Sequence, residues 1–111
     1  MSDLVQKHCE ACEGIANALT AEQVKNLMSQ VPLWKSDDAA TEIVREFNFD
    51  DFHQTMAFVN AIAWMAHQEN HHPDLKVGYN YCHVRYSTHA LDGLSHNDFI
   101  CAAKVDHLLL G

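Results

Sequence analysis

The length and composition of the chain limit what it can be. Its 111 residues suit one domain, 1–111, and a composition of 48% hydrophobic and 20% charged residues is that of a globular protein. Seven Lys and Arg residues oppose 15 Asp and Glu residues, which leaves a net charge of −8. So acidic a chain argues against direct binding to nucleic acid or to an anionic membrane, and it favours small molecules or proteins as partners.

The four cysteines, Cys9, Cys12, Cys82 and Cys101, are too sparse for a secreted disulfide scaffold. They indicate reduced thiols and a cytoplasmic protein, and the polar start of the chain lacks the apolar core of a signal peptide. We predict a flexible N-terminal tail over residues 1–18. Cys9 and Cys12 form a CxxC pattern, but no strand precedes it, and a zinc site would need Cys82 or Cys101, which fall in elements that look buried. Two exposed thiols in a tail are therefore the favoured interpretation.

The first elements predicted along the chain are a helix and two strands. Thr20 and Gln23 fit a capping box, and the apolar spacing after them continues until Pro32 ends the helix. A short extended segment over 33–35 follows, and a turn comes after it. Over 41–49 apolar and polar residues alternate, which predicts a strand with one mostly apolar face.

A second helix is predicted to begin after Asp50 and to stop by about Asn70, because Pro73 follows. Its apolar stripe at helical spacing consists of Phe52, Met56, Val59, Ala63 and Ala66. Neighbouring apolar residues widen this stripe until the helix is apolar on most sides. So broad an apolar surface favours self-association.

The last part of the chain predicts a β-hairpin and a third helix. Two short runs rich in aromatic and β-branched residues, 75–79 and 82–88, flank Asn80. Ser95 and Asp98 then form a second capping box. The resulting order α-β-β-α-β-β-α, with strands joined by short turns, predicts an α+β fold. It is a two-layer sandwich in which the helices cover an antiparallel sheet.

Histidines carry most of the candidate chemistry, because nine are present and their side chain titrates near neutral pH. The densest cluster consists of His67, His71-His72-Pro73, His89 and Asp98. All of them stand where a predicted element starts or stops, and such ends often carry reactive groups. We therefore expect three of these imidazoles and the carboxylate to line one pocket. Capping alone also explains Asp98, and the helix dipole favours a His at a helix C-terminus.

This pattern resembles that of the pterin-4a-carbinolamine dehydratase family. His67 stands four positions before His71-His72-Pro73, Tyr79 is the aromatic residue six positions after Pro73, and His89 follows ten positions later. Asp98 completes the motif, and the resemblance extends over about residues 19–109. It implies a four-stranded antiparallel sheet with three helices on one face.

The resemblance also implies an activity, the dehydration of 4a-hydroxytetrahydrobiopterin to quinonoid dihydropterin and water. This reaction recycles the tetrahydropterin that aromatic amino acid hydroxylases use. The implied catalytic residues are His71, His72 and His89, acting by general acid–base chemistry without cofactor or metal. Asp98 would support His89. The implied substrate-binding residues are His67, Glu69, Asn70, Pro73, Ser87 and Thr88.

Two other functions stay open at this stage. Some members of the family bind a transcription factor and stabilise its dimer, which makes a non-catalytic interaction protein an alternative. Family members form homodimers or homotetramers, and the sequence does not choose between them. A metal-binding module is the third interpretation, because His67 and His71 are four apart on a helix and His72 or His89 could add a ligand.

Overall fold

The structure, a computed structural model, describes residues 3–11, 15 and 17–109. Its elements are α1 (Ala21–Met28), β1 (Lys35–Ser36), β2 (Ile43–Asn48), α2 (Phe52–Glu69), β3 (Asp74–Val77), β4 (Tyr81–Tyr86) and α3 (His96–Leu108). Short 3₁₀ helices lie at Asp3–Gln6 and His89–Leu91. The three helices and four strands follow one another in the predicted order, which confirms the α+β fold. Within the described residues no helix is long and apolar enough to span a membrane.

The four strands form one antiparallel sheet in the order β1-β2-β4-β3. β2 and β4 pair along their whole length, from Ile43 opposite Tyr86 to Asn48 opposite Tyr81. Because side chains alternate between the two faces of a strand, one face of β2 and one face of β4 enter the core. The buried strand residues are Ile43, Phe47, Cys82, Val84 and Tyr86. The predicted strand with one apolar face is thus confirmed in β2.

Side-chain caps explain where α1 and α3 begin. In α1 the Thr20 hydroxyl accepts from the Gln23 N–H at 3.2 Å, and Gln23 Oε1 accepts from the Thr20 N–H at 2.9 Å. Ser95 and Asp98 form the second capping box, which starts α3 as predicted. The end of α1 differs from the prediction, because the helix stops at Met28 and a turn leads on to Pro32.

The face of α2 that enters the core differs from the predicted stripe. Thr55, Phe58, Ile62 and Met65 are buried, whereas Phe52 is 46% exposed. The predicted stripe of Phe52, Met56, Val59, Ala63 and Ala66 is therefore at most partly buried, and residues that widen it supply most of the core face. The helix is apolar on several sides, so periodicity alone does not select the buried side. Contacts with β2 select it, since the Phe58 ring lies 4.6 Å from that of Phe47, centroid to centroid.

Two methionines on α2 test this assignment. Met65 is buried and Met56, a member of the predicted stripe, is only partly buried. We expect Met65→Ala to lower the free energy of unfolding by about 2 kcal/mol or more, because it leaves a cavity in the core. The matched variant Met56→Ala should cost clearly less. Urea unfolding of the two variants measures the difference, and equal losses would contradict the assigned face.

The described part of the N-terminal segment packs against α2 and α3. Leu4 is buried in the core, and the backbone carbonyl of Val5 accepts from Lys104 Nζ at 2.8 Å. Glu10 and Asn97 exchange two hydrogen bonds, of 3.1 and 2.8 Å. The predicted flexible tail was thus wrong for residues 3–11, because donors and acceptors distant in sequence hold them. Cys12, the second cysteine of the CxxC pattern, lies outside the described residues.

Candidate active site

Residues from two distant segments of the chain meet in a cleft beside the C-terminal end of α2. This first cleft has a volume of about 170 Å³ and is lined by Asn70, His71, His72, Ser87, Thr88, His89 and Ala90. A second cleft of about 400 Å³ shares Asn70, His71 and His72 with the first and also contains His67 and Pro73. Eight of the ten residues predicted for the site from sequence therefore line one of these two clefts. The other two, Asp98 and Glu69, lie elsewhere.

The two adjacent histidines after the end of α2 lie in different surroundings. Asn70 follows the last helical residue and has a left-handed backbone with φ of 52°, a conformation that asparagine tolerates better than most residues. The His71 N–H donates to the Ala66 carbonyl at 3.2 Å and closes the end of the helix. The side chain of His71 is then buried, while that of His72 is exposed. This end of the helix thus supplies one fixed imidazole and one accessible imidazole.

A buried carboxylate holds the fixed imidazole. Asp98 is fully buried, and its Oδ1 lies 2.7 Å from His71 Nε2. Its Oδ2 accepts from the Thr88 hydroxyl at 2.8 Å and from the Ser95 N–H at 2.9 Å. Since an ionised carboxylate only accepts hydrogen bonds, the pairing places the His71 proton on Nε2. The prediction that Asp98 supports His89 was wrong, because its imidazole partner is His71.

Tyr86, at the end of β4, is a neighbour of the site that the sequence analysis missed. Its ring stacks on that of His71, with centroids 5.7 Å apart and planes within 8°. Burial is the largest cause that raises the pKa of the Tyr86 hydroxyl, and the adjacent Cys101 thiol is the second. This hydroxyl therefore stays neutral. The ring thus forms one wall against which the His71 imidazole is fixed. The alternation of apolar and polar residues along β4 is the sequence signal that could have identified Tyr86 as buried.

The comparison with known families decides where the chain belongs. The sequence model of the family described as Pterin 4 alpha carbinolamine dehydratase matches residues 17–108. The chain belongs to this family. The family supports a lyase that dehydrates a pterin carbinolamine, and it confirms the resemblance found in the sequence.

Relatives of this dehydratase family cover almost the whole chain. A protein of Legionella pneumophila (strain Lens) is 63% identical over 110 residues, which are 98% of this chain and 97% of the relative. One of Nitrosomonas eutropha is 54% identical over 109 residues, which are 97% of this chain and 95% of the relative. Both carry the name "Putative pterin-4-alpha-carbinolamine dehydratase".

Two solved structures share the dehydratase fold. A transcriptional coactivator/pterin dehydratase from Brucella melitensis has a TM-score of 0.78 and 28% identity, covering 83% of this chain and 98% of its own. A pterin dehydratase-like protein described as a RuBisCO assembly factor in the alpha-carboxysome has a TM-score of 0.59 and 25% identity. It covers 68% of this chain and 87% of its own. The names of these two proteins thus describe more than one function for the same fold.

Glu69 lies outside both histidine clefts of this family member. Its Oε1 accepts from the Cys9 N–H at 2.7 Å, and its Oε2 lies 2.8 Å from His8 Nδ1 and 3.7 Å from Lys104 Nζ. Burial acts to raise the pKa of the Glu69 carboxyl, but the Cys9 and His8 hydrogen bonds and the Lys104 charge lower it overall. The contacts of Glu69 therefore point to a structural role in place of the predicted binding of substrate. Its carboxylate binds the N-terminal segment to the end of α2.

The lowered pKa of Glu69 has a consequence for stability. Between that pKa and the ordinary value of 4.5, the unfolded chain binds more protons at this position than the folded chain does. The stabilisation is therefore present above pH 4.5 and is lost as the pH falls through the folded pKa. We expect thermal unfolding to show a steeper loss of Tm below pH 4.5 in the native protein than in Glu69→Gln. Glu22→Gln, an exposed change on α1, is the control, and parallel curves for the native protein and Glu69→Gln would contradict the assignment.

His67 lines the second cleft, where its ring lies 5.5 Å from that of the exposed Trp64. The metal hypothesis paired it with His71 and a third histidine. In the part of the chain that the structure describes, no three His, Cys, Asp or Glu side chains are grouped so that they could hold a metal ion. The described geometry therefore gives this alternative no ligand set.

Proposed function

We propose that the protein dehydrates 4a-hydroxytetrahydrobiopterin, or a closely related 4a-hydroxytetrahydropterin, to quinonoid dihydropterin and water by histidine general acid–base catalysis. The observation that carries the proposal is that His71, His72 and His89 line one cleft although they come from two separate segments. Membership of the family supports a pterin carbinolamine as the substrate.

The reaction needs two proton transfers, which histidines can provide near neutral pH. The hydroxyl group on C4a must receive a proton to leave as water, and the N5–H of the pterin must give one up. Each positioned transfer of this kind contributes a factor of about 10² to 10⁴ in rate. An imidazole serves as donor or acceptor at this pH, so the two transfers need no other group.

The surroundings of the three histidines suggest which of them position the substrate and which transfer protons. His71 is buried, bonded to Asp98 and stacked on Tyr86, so it can hold a fixed orientation against the substrate. His72 and His89 are exposed at the cleft, and they are the groups that can exchange protons with substrate and solvent. We propose that these two supply the acid and the base between them.

The polar edge of the pterin needs hydrogen-bonding partners at the cleft. Thr88 is a weak candidate, because its hydroxyl donates to Asp98 and its N–H donates to the Gly93 carbonyl at 2.8 Å. Asn70 and Ser87 line the first cleft and are the stronger candidates. His67 and Pro73 line the second cleft, where they can contact the rest of the substrate.

The test is the decay of enzymatically generated 4a-hydroxytetrahydropterin, followed by its ultraviolet absorbance. Native protein, His72→Ala and chelator-treated native protein are compared with the spontaneous decay. Acceleration that survives the chelator and falls at least tenfold in His72→Ala supports a metal-free histidine dehydratase. Decay at the spontaneous rate with native protein would overturn the proposal.

The alternative is an interaction protein on the same fold. Trp64 is 62% exposed on α2 and Phe52 is also exposed there, which leaves apolar surface for a partner or a second copy. The names of the two solved relatives include a coactivator and an assembly factor. A protein without dehydratase activity would favour this alternative. The homodimer or homotetramer, the cytoplasmic location and the link to an aromatic amino acid hydroxylase stay predictions.

A further inference from the structure

The N-terminal segment places a second sulfur atom beside α3. The family model begins at residue 17, so residues 3–11 lie outside the matched domain. Cys9 lies within this segment, and its Sγ is 3.5 Å from the Sγ of Cys101 on α3. Cys101 is fully buried, while Cys9 is partly exposed. The two thiols are therefore in direct contact although most of the chain separates them.

The surroundings hold Cys9 in this position from both sides. Its own backbone N–H donates to Glu69, and the next residue, Glu10, exchanges two hydrogen bonds with Asn97. Asn97 belongs to α3, one helical turn before Cys101. A disulfide needs a sulfur separation of about 2.05 Å, so the two atoms must approach by only about 1.5 Å from their distance of 3.5 Å.

We propose that Cys9 and Cys101 are a disulfide site, which a hydroperoxide oxidises to a covalent link between the N-terminal segment and α3. The CxxC pattern alone pairs Cys9 with Cys12. The contact with Cys101 instead identifies a partner on another element. Neither cysteine lines a histidine cleft.

The chemistry takes two steps and balances. The Cys9 sulfur attacks one peroxide oxygen, the O–O bond breaks, and Cys9 sulfenic acid forms as water (or an alcohol) leaves. The Cys101 sulfur then attacks the Cys9 sulfur, the S–O bond breaks, and the hydroxyl leaves as water with the Cys101 proton. Two thiols are oxidised by two electrons in total, and one peroxide is reduced.

The same contact makes the first step slow. The hydrogen bond with Cys101, followed by burial, raises the pKa of the Cys9 thiol well above its usual range. Little thiolate is therefore present near neutral pH, and the thiolate is the form that reacts with peroxide. We expect a stable cross-link that accumulates over hours of exposure rather than a rapid redox response.

Peptide mapping of the full-length protein after incubation with hydrogen peroxide identifies the link. Cleavage after Lys and Arg leaves Cys9 and Cys12 on residues 8–25 and Cys101 on residues 86–104. Further cleavage after Glu10 separates Cys9 from Cys12. The proposal predicts a reducible cross-link between 8–10 and the peptide that holds Cys101. A Cys9–Cys12 link in its place, or free thiols throughout, would overturn it.

Three variants and a stability measurement complete the test. Cys12→Ser should keep the cross-link and Cys9→Ser should lose it, while Cys82→Ala is the control for a buried cysteine elsewhere in the core. Because the link closes a loop of almost the whole domain, oxidation should raise the Tm of native protein by about 5 to 15 °C. Cys9→Ser under the same treatment should show no rise. A cross-link that persists in Cys9→Ser, or that vanishes in Cys12→Ser, would contradict the pairing.

Discussion

Replacement of His72 by Ala is expected to lower kcat for pterin carbinolamine dehydration by about 100-fold or more, with a smaller effect on KM. His89→Ala should have an effect of the same order. Both imidazoles are exposed at the first cleft, so their removal leaves the core packing intact. The loss therefore reports proton transfer rather than unfolding.

His53→Ala is the matched control, because His53 is an exposed histidine at the opposite end of α2 from the clefts. Its kcat should equal that of the native protein. Initial rates over a range of substrate concentrations, corrected for spontaneous decay, separate kcat from KM. If His72→Ala raised KM and left kcat unchanged, His72 would bind the substrate without transferring a proton, and the proposed mechanism would fail.

The parts of the fold that were predicted correctly are those that depend on neighbouring residues. Each capping box is a pattern of four consecutive positions, so Thr20 and Ser95 mark the starts of α1 and α3 without any knowledge of the rest of the chain. The alternation in β2 likewise records its buried face. These local signals suffice for the order of elements, and the order suffices for the fold class.

The errors in the fold have a common physical cause. The N-terminal segment is held by contacts with residues 60 or more positions away, such as the hydrogen bond from the Cys9 N–H to Glu69. The buried side of α2 is selected by Phe47 of β2 and by Phe49 just after it, whose rings contact that of Phe58. Neither interaction leaves a periodic signal in the sequence near it. Polar composition therefore indicated a free tail where long-range hydrogen bonds bind the segment.

The sequence predicted which residues gather at the clefts more accurately than it predicted which of them bond to one another. Spacing brings His71, His72 and His89 to element ends, but it does not give the direction of their side chains. The left-handed backbone of Asn70 directs His71 inwards and leaves His72 exposed. That single turn decides that Asp98 bonds to His71 rather than to His89. The surroundings of these two adjacent histidines therefore differ because of the backbone conformation of Asn70.

The pairing of Asp98 with His71 leads to the second large effect, that of Asp98→Asn. The amide oxygen can still accept from Thr88 and Ser95, which leaves the amide NH₂ facing His71 Nε2. The imidazole must then accept there, so its proton moves to Nδ1 and the ring presents the wrong tautomer to the substrate. We expect kcat to fall by about 100-fold or more, since an equivalent change in a catalytic triad costs about 10⁴.

The tautomer separates this positioning role from a purely structural one. The ¹⁵N chemical shifts of the His71 ring should report Nε2–H in the native protein and Nδ1–H in Asp98→Asn. Asp92→Asn, an exposed aspartate with a left-handed backbone in the loop before α3, makes the same chemical change without touching the imidazole and should keep full kcat. If Asp98→Asn lowered the Tm but kept the native kcat, Asp98 would serve only as a cap of α3. The dehydration would then depend on the exposed pair, His72 and His89, without any need for a fixed proton on His71.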